Sequence, residues 1–313
     1  AGASSEGHPL TPGLAGVSHP VKADYGMLRE RVSDDIYVFA SDLYAHVTAG
    51  AVVYSDGAVL IDTLAFPSET EQIRDFLENR LGAQVRYVIN THYHADHTNG
   101  NCLFPRAEIV GHRLCRERLD TTGRTGLERA RQQSPALAGL EIALPKILLA
   151  DGPLFLHLGK KTLQLFHTPG HSFDSISVLL KEDRILFAGD MMMPLPHIVD
   201  GDIDDLTRSL QVIPTMGLEN VIQGHGEVVL RGEIDDAVRS NLRYLENLRK
   251  RVEQAIKRGR PREAMREIDV EACGKSRIAL NGLVTQLHTA NCLALYDRLT
   301  RGGPAPAAGS PAR

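Results

Sequence analysis

The segment Thr91-His92-Tyr93-His94-Ala95-Asp96-His97 places four side chains able to bind a metal within six residues, directly after the apolar run QVRYVIN. In extended backbone, side chains two apart point the same way. His92 and His94 then converge on one cation, and the turn that follows carries Asp96 and His97 toward a second. Neutral imidazole and carboxylate suit zinc, iron or manganese. A polar surface loop that is rich in histidine by chance would stand alone. This one has counterparts: HTPGH offers His171, FAGD offers Asp190 and QGHG offers His225, each beside glycine and each after a β-like run. Ligands of open α/β sheets gather at the carboxyl ends of strands, and glycine lets backbone approach a metal centre closely.

The elements that must position these residues follow from local pattern. IYVFA, AHVTAGAVVY and GAVLIDT are β-rich, with SDG at 55–57 as a hairpin signal. PSETEQIRDFLENRLG reads as a helix that begins at Pro67 and Ser68, repeats Ile73, Phe76, Leu77 and Leu81 at helical spacing, and stops at Gly82. AEIVGH is a strand. Residues 113–150 mix helix formers with Gly and Pro and read as an inserted helical segment or lid over the site, a place where substrate contacts are expected. Strands resume with LFLHL, KTLQLFHT, SISVLL and RILFAGD, followed by a helix through DDLTRSLQVI and the strand NVIQG. Beyond Gly232, EIDDAVRSNLRYLENLRKRVEQAIKRG, PREAMREI and ALNGLVTQLHTANCLALYDRLTRGG are helical with apolar stripes.

The order H-x-H-x-D-H, then His, Asp and His, resembles the metallo-β-lactamase superfamily over roughly residues 33–230. The resemblance implies a four-layer αβ/βα sandwich with a C-terminal helical extension. Composition and patterning along the chain add to this domain an N-terminal arm (1–25), a helical extension (232–302) and a disordered tail (303–313), which leaves 26–231 as the catalytic domain. The resemblance also implies that His92, His94 and His171 bind a first metal, that Asp96, His97 and His225 bind a second, and that Asp190 bridges them. Asp62, at the end of VLIDT, matches the acid that orients a ligand imidazole; a plain strand-end turn would also explain it. Two divalent cations are implied, zinc first, with iron or manganese as alternatives. Water bridging them would lose a proton near neutral pH, and Asp96 is the expected catalytic residue that orients the resulting hydroxide.

The substrate this implies is a small ester, thioester, lactone or amide. Asp190 stands where dedicated zinc β-lactamases carry Cys or lack the bridge. Met191, Met192 and Met193 stand where acyl-homoserine lactonases place a Tyr. His94 replaces the Glu of flavodiiron proteins. The chain resembles glyoxalase II and, through LRYLENLRKRV and NCLALYDRL, the hydrolases related to the sulfur-oxidation protein SoxH. Arg243, Arg249, Lys250 and Arg251 either meet an anionic thiol substrate or form a solvated helix face. Met191, Met193 and His197 are the expected substrate pocket, Met being adaptable, against the reading of a structural loop. His112 and His167 read as structural. The alternatives are a mononuclear iron enzyme similar to persulfide dioxygenases, and a β-lactamase, phosphodiesterase or hydrolytic dehalogenase on the same site.

Composition narrows the partners. The 313 residues carry a net charge of −4, so neither nucleic acid nor an anionic membrane is an expected partner, and no apolar run approaches the ~20 residues of a membrane span. The expected partner is a small molecule. The helical extension and 113–150 each offer a face for a homodimer. Cys102, Cys115, Cys273 and Cys292 fit no disulfide framework and read as free thiols. The start AGASSEGHPLTPGLAG reads as a mature end left by signal-peptide removal or as a remnant of expression, which leaves the compartment cytoplasmic or periplasmic.

Overall fold

The computed structural model describes residues 27–301. The expected arm (1–25) and tail (303–313) lie outside them. The first sheet contains β1 (Leu28–Ser33), β2 (Ile36–Ala40), β3 (Thr48–Tyr54), β4 (Gly57–Ile61), β5 (Val85–Ile89), β6 (Glu108–His112) and β7 (Ile147–Leu149), in that spatial order. Its first four strands pair antiparallel and the rest run parallel from β4 onward. The second sheet runs β13-β12-β11-β10-β9-β8, built from β8 (Leu154–Leu158), β9 (Lys161–His167), β10 (Ile176–Leu180), β11 (Ile185–Gly189), β12 (Asn220–Gln223) and β13 (Val228–Leu230). Only β11 and β12 pair parallel in it.

Three apolar cores stack the layers. Between the sheets lie Ile36, Val38, Val52, Val59 and Ile61 from one side and Leu163, Leu165, Val178, Ile185 and Phe187 from the other. The outer face of the first sheet packs Phe39, Ala51, Leu60 and Val88 against Ile73, Phe76 and Leu77 of the 67–80 helix, which opens as α1 (Pro67–Arg74). The outer face of the second sheet packs Leu186, Ala188 and Val221 on α5 (Ile203–Val212), α6 (Ile234–Lys257) and α7 (Val284–Arg301). Helices on both outer faces of two packed sheets are the four-layer αβ/βα sandwich, with the C-terminal helices continuing one outer layer. Burial on both faces explains the near-continuous apolar residues of strands such as β4 and β11. Gly50 lets the sheets close up, because a Cβ there would stand 1.9 Å from the Phe187 ring.

The remaining helices are α2 (Ala95–Thr98), which carries Asp96 and His97, and α3 (Arg113–Arg118) and α4 (Arg124–Gln133) of the inserted segment. β1 was not evident from sequence: LRERVS is a mostly exposed edge strand and lacks an apolar face. The final helix begins at Val284, later than the run from Ala279 suggests, because Leu280, Asn281 and Gly282 are left-handed (φ 56°, 54° and 85°). No helix among the described residues is long and apolar enough to cross a membrane, and all four cysteines are free.

Candidate metal centre

Parallel strands bring loop ends together. β5 ends just before His92, β11 ends at Gly189 just before Asp190, and β12 ends at Gln223 two residues before His225. Two cross-sheet ties hold these ends in place: Thr48 N–H donates to Gly224 O at 2.8 Å, and Val47 forms an antiparallel bridge with His225. The structure gathers the seven residues into two adjoining groups of buried donors, His92, His94, His171 and Asp190 in one and Asp96, His97 and His225 in the other. Asp190 reaches both. Its Oδ2 lies 3.3 Å from His171 Nε2 and 3.5 Å from His225 Nε2, and its Oδ1 lies 3.2 Å from His97 Nε2.

The outer nitrogen of every ring is committed as a donor, and this fixes the tautomers. His97 Nδ1 donates to Asp62 Oδ2 at 2.8 Å, His171 Nδ1 to His197 O at 3.0 Å and His225 Nδ1 to Ala45 O at 2.9 Å. His94 Nε2 donates to Asp200 Oδ2 at 2.9 Å. Thr91 Oγ1 donates to Asp62 Oδ2 at 2.7 Å, and so accepts from His92 Nδ1 at 3.0 Å. In the neutral rings, the inner nitrogens are therefore bare lone pairs. Three of them converge, with His94 Nδ1 only 3.0 Å from both His92 Nε2 and His171 Nε2. Lone pairs so close repel unless a cation lies among them. Asp96 Oδ1, Asp190 Oδ1 and His97 Nε2 are buried without a hydrogen-bond partner, an arrangement that costs ~1–3 kcal/mol per group if nothing binds there. The donor set thus fits divalent metal on both its geometry and its hydrogen bonding.

Charge divides the donors, with His94 apart from the rest of its group: burial lowers it but is outweighed by its bond to Asp200, and it rises. Burial, reinforced by neighbouring imidazoles, holds His92 well below its ordinary pKa, and burial brings His171 down to about 3. For His97 and His225, burial works in the same direction but is outweighed by Asp190, Asp62 and Asp96; His97 is pushed well up and His225 rises to about 10. After chelation, the second group therefore holds protons that incoming metal must displace. The stabilisation from the His225 ion pair is complete below the ordinary value of 6.5 and is lost as pH rises through about 10. Metal affinity moves the opposite way and tightens with pH across that window. Calorimetric titration of the chelated protein with zinc, repeated in buffers of different ionisation enthalpy, should show protons released on binding. Uptake without proton release would contradict the assignment.

Close approach is exacting at Gly224. A Cβ there would stand 1.8 Å from Asp190 Oδ1 and 2.8 Å from the Asp190 amide nitrogen. Gly224→Ala should displace the Asp190 carboxylate, with metal content well below that of wild type and ~10-fold or greater loss of metal affinity. A metal count and affinity equal to wild type would show that the carboxylate has room to move.

The centre opens into a small cleft lined by Tyr44, Met193 and His197, among others. Met191 does not line it. It is 1% exposed and packs in the core below the second sheet. No described residue of 113–150 lines it either; that segment packs Cys115 and Leu119 on Tyr93, and Leu127, Leu137 and Leu140 beside Phe66 and Cys102. The expected lid contacts come instead from Leu280, Leu283 and Leu287 near the start of α7. The α6 cations face away: Arg249 pairs with Asp204 at 2.6 Å and Arg251 donates to Ala272 O at 2.8 Å. His112 and His167 stack at 4.5 Å, outside the donor cluster.

Sequence reasoning missed Asp200, which also accepts from Tyr93 Oη at 2.9 Å and whose backbone bridges Ser172. It missed Asn291 as well. Asn291 Nδ2 donates to Pro196 O at 2.7 Å and Asn291 Oδ1 accepts from Ile198 N–H at 2.9 Å. It thereby clamps both flanks of His197, whose carbonyl orients His171. The only signal in the sequence was an amide on the buried face of an apolar helix. Tyr44 is held by Ser41 Oγ, which accepts its N–H at 2.9 Å and donates to the buried Glu69 at 2.7 Å.

The Metallo-beta-lactamase superfamily profile matches residues 45–253. Beta-lactamase-like protein 2 homolog of Caenorhabditis elegans is 30% identical over 220 residues, 68% of this chain and 65% of that protein. Lactamase-like protein aptB of Emericella nidulans is 29% identical over 60% of this chain and 53% of its own length. An atrochrysone carboxyl ACP thioesterase of Pseudocercospora fijiensis is 25% identical over 73% of this chain and 64% of its own length. The chain thus spans between about half and two thirds of these relatives. Among solved structures, a metallo-beta-lactamase from Pontibacter korlensis superposes with TM-score 0.58 at 19% identity, covering 71% of this chain and 99% of that one. The sec-alkyl sulfatase PisA1 double mutant superposes with TM-score 0.68 at 16% identity, covering 90% of this chain and 52% of that one. Both share the fold.

Proposed function

The chain belongs to the metallo-beta-lactamase superfamily, and from that premise we propose that it is a hydrolase using two divalent cations, zinc by preference, on a small ester, thioester, lactone or amide. The observation that carries this reading is the set of five imidazoles whose outer nitrogens are all committed as donors while their inner nitrogens meet two buried carboxylates. His92, His94 and His171 would hold one cation, Asp96, His97 and His225 the other, and Asp190 would be shared. Cations held there lower the pKa of water and polarise an acyl oxygen.

The chain's own groups supply the rest. Asp96 lines the cleft with Oδ1 unpartnered, and this oxygen accepts a proton from the attacking water and orients it. Asp62, Asp200 and the carbonyls of Ala45 and His197 keep the rings in register. The water oxygen joins the acyl carbon, the C–O, C–S or C–N bond breaks, and the proton taken up by Asp96 passes to the departing oxygen, sulfur or nitrogen, giving an alcohol, thiol or amine. No serine or cysteine nucleophile is required. A relative named as a thioesterase supports the ester and thioester end of the range.

Metal quantification together with p-nitrophenyl ester, thioester, lactone, nitrocefin and phosphodiester substrates tests the proposal. Two cations per chain with turnover of an acyl substrate is the expected result. One iron per chain with oxygen uptake would replace it with an oxygenase.

A further inference from the structure

Apart from the donor cluster and His197, the described cleft is lined by Tyr44, Ala45, Met193, Leu280, Leu283 and Leu287. Leu280 and Leu283 precede α7 and Leu287 lies in its first turn, so the left-handed segment at 280–282 brings the three leucines to one wall. Among the described residues no Lys or Arg lines the cleft. The half-buried Lys275 is engaged elsewhere, donating to Asn241 Oδ1 at 2.6 Å, and Asn241 Nδ2 donates in turn to Met193 O at 3.1 Å.

Leu280 is held firmly despite its left-handed backbone (φ 56°), a conformation costly for a residue with a branched side chain. Its neighbour Asn281 bonds His46 Nε2 at 2.9 Å, so the leucine stripe is tied to the loop that carries Tyr44 and Ala45. Strain kept at a cleft wall is characteristic of functional positions. A charged substrate group would find no described cation on this wall, and its desolvation would go uncompensated. An apolar group would gain the full benefit of leaving water.

We propose that Leu280, Leu283, Leu287 and Met193 form an acyl subsite, so that the substrate is an ester or thioester of a neutral, apolar acid whose chain lies along the leucines. This rests on the reading of the metal centre as a hydrolase. The reading of the α6 basic residues as contacts to an anionic thiol substrate has no counterpart among the described residues of the cleft.

The metal-loaded protein should hydrolyse p-nitrophenyl acetate, butyrate and hexanoate with kcat/KM rising about fourfold per methylene, the factor that ~0.8 kcal/mol per buried CH₂ corresponds to. Leu283→Gln should lower the hexanoate-to-acetate ratio at least ~10-fold, while the exposed Ile278→Ser keeps it. Calorimetric binding of hexanamide and acetamide, to loaded and to chelated wild-type protein, provides a readout independent of turnover and of variant folding. Hexanamide should bind more tightly in both states. Hydrolysis that is flat with chain length, or equal binding of the two amides, overturns the subsite and leaves the hydrolase. Chain-length-dependent binding without turnover of any ester supports the subsite and overturns the hydrolase.

Discussion

Asp190→Ala protein is expected to purify with little metal and to show kcat/KM reduced by ~10²-fold or more on any acyl substrate the wild type turns over. Even the loss of a partner one bond removed from a metal ligand costs ~10–100-fold, and Asp190 contacts rings of both donor groups. Its loss would leave His97 and His225, which it holds protonated in the chelated protein, without their main counter-charge. With Asp190 no longer raising them, both rings can shed their protons and stay buried as neutral imidazoles, so the variant should keep its fold, judged by far-ultraviolet circular dichroism, while losing both metal and turnover. Two cations per chain with wild-type activity would show that Asp190 is not the shared ligand.

Asn291→Leu is expected to be the most damaging substitution outside the donor set. Asn291 is fully buried, and its amide serves Pro196 O, Ile198 N–H and Tyr244 Oη at 2.7, 2.9 and 3.1 Å. Leucine fills a similar volume but removes this partner from Pro196 O and Ile198 N–H, at ~1–3 kcal/mol for each that water cannot reach, while Tyr244 Oη keeps its bond to His288 Nδ1 at 2.9 Å. The loop 196–198 would then shift, and with it the His197 carbonyl that fixes His171. The expected outcome is a lower Tm together with ~10–100-fold weaker metal affinity, measured by competition with a chromophoric chelator. Asn291→Asp, which still accepts from Ile198 but no longer donates to Pro196, should fall between. A lower Tm with unchanged metal affinity would show that α7 supports the fold without positioning the centre.

The contrast between these two residues shows where the sequence was legible. Asp190 could be read because it sits directly after an apolar strand, beside glycine, and because short-range alternation put His92 and His94 on one side of the chain. Strand and helix periodicity marked the individual elements, while the layer order followed only from the family resemblance. Asn291, Asp200 and the leucines of 280–287 act through tertiary contacts with residues far away in sequence, so no local pattern marked them. The 113–150 segment misled in the other direction. Its irregular composition suggested a lid, yet its apolar residues are used to pack on Tyr93 and Phe66. Met191 misled because apolar residues beside a site can face either the cleft or the core, and the choice depends on the turn after β11.

The seven donors are divided between two sheets. His92, His94, Asp96 and His97 follow the first, while His171, Asp190 and His225 follow strands of the second. Neither sheet alone presents a complete set to either cation position proposed here, since each combines donors from both halves. Loading is therefore a late event in the life of the chain, possible only after the halves have docked. A molecule halted during synthesis before residue 225, or cut between the halves and separated, would hold metal weakly. Cation retention thus reports whether the polypeptide is whole, and a pulse of chelator during refolding should trap docked but unloaded molecules rather than unfolded ones.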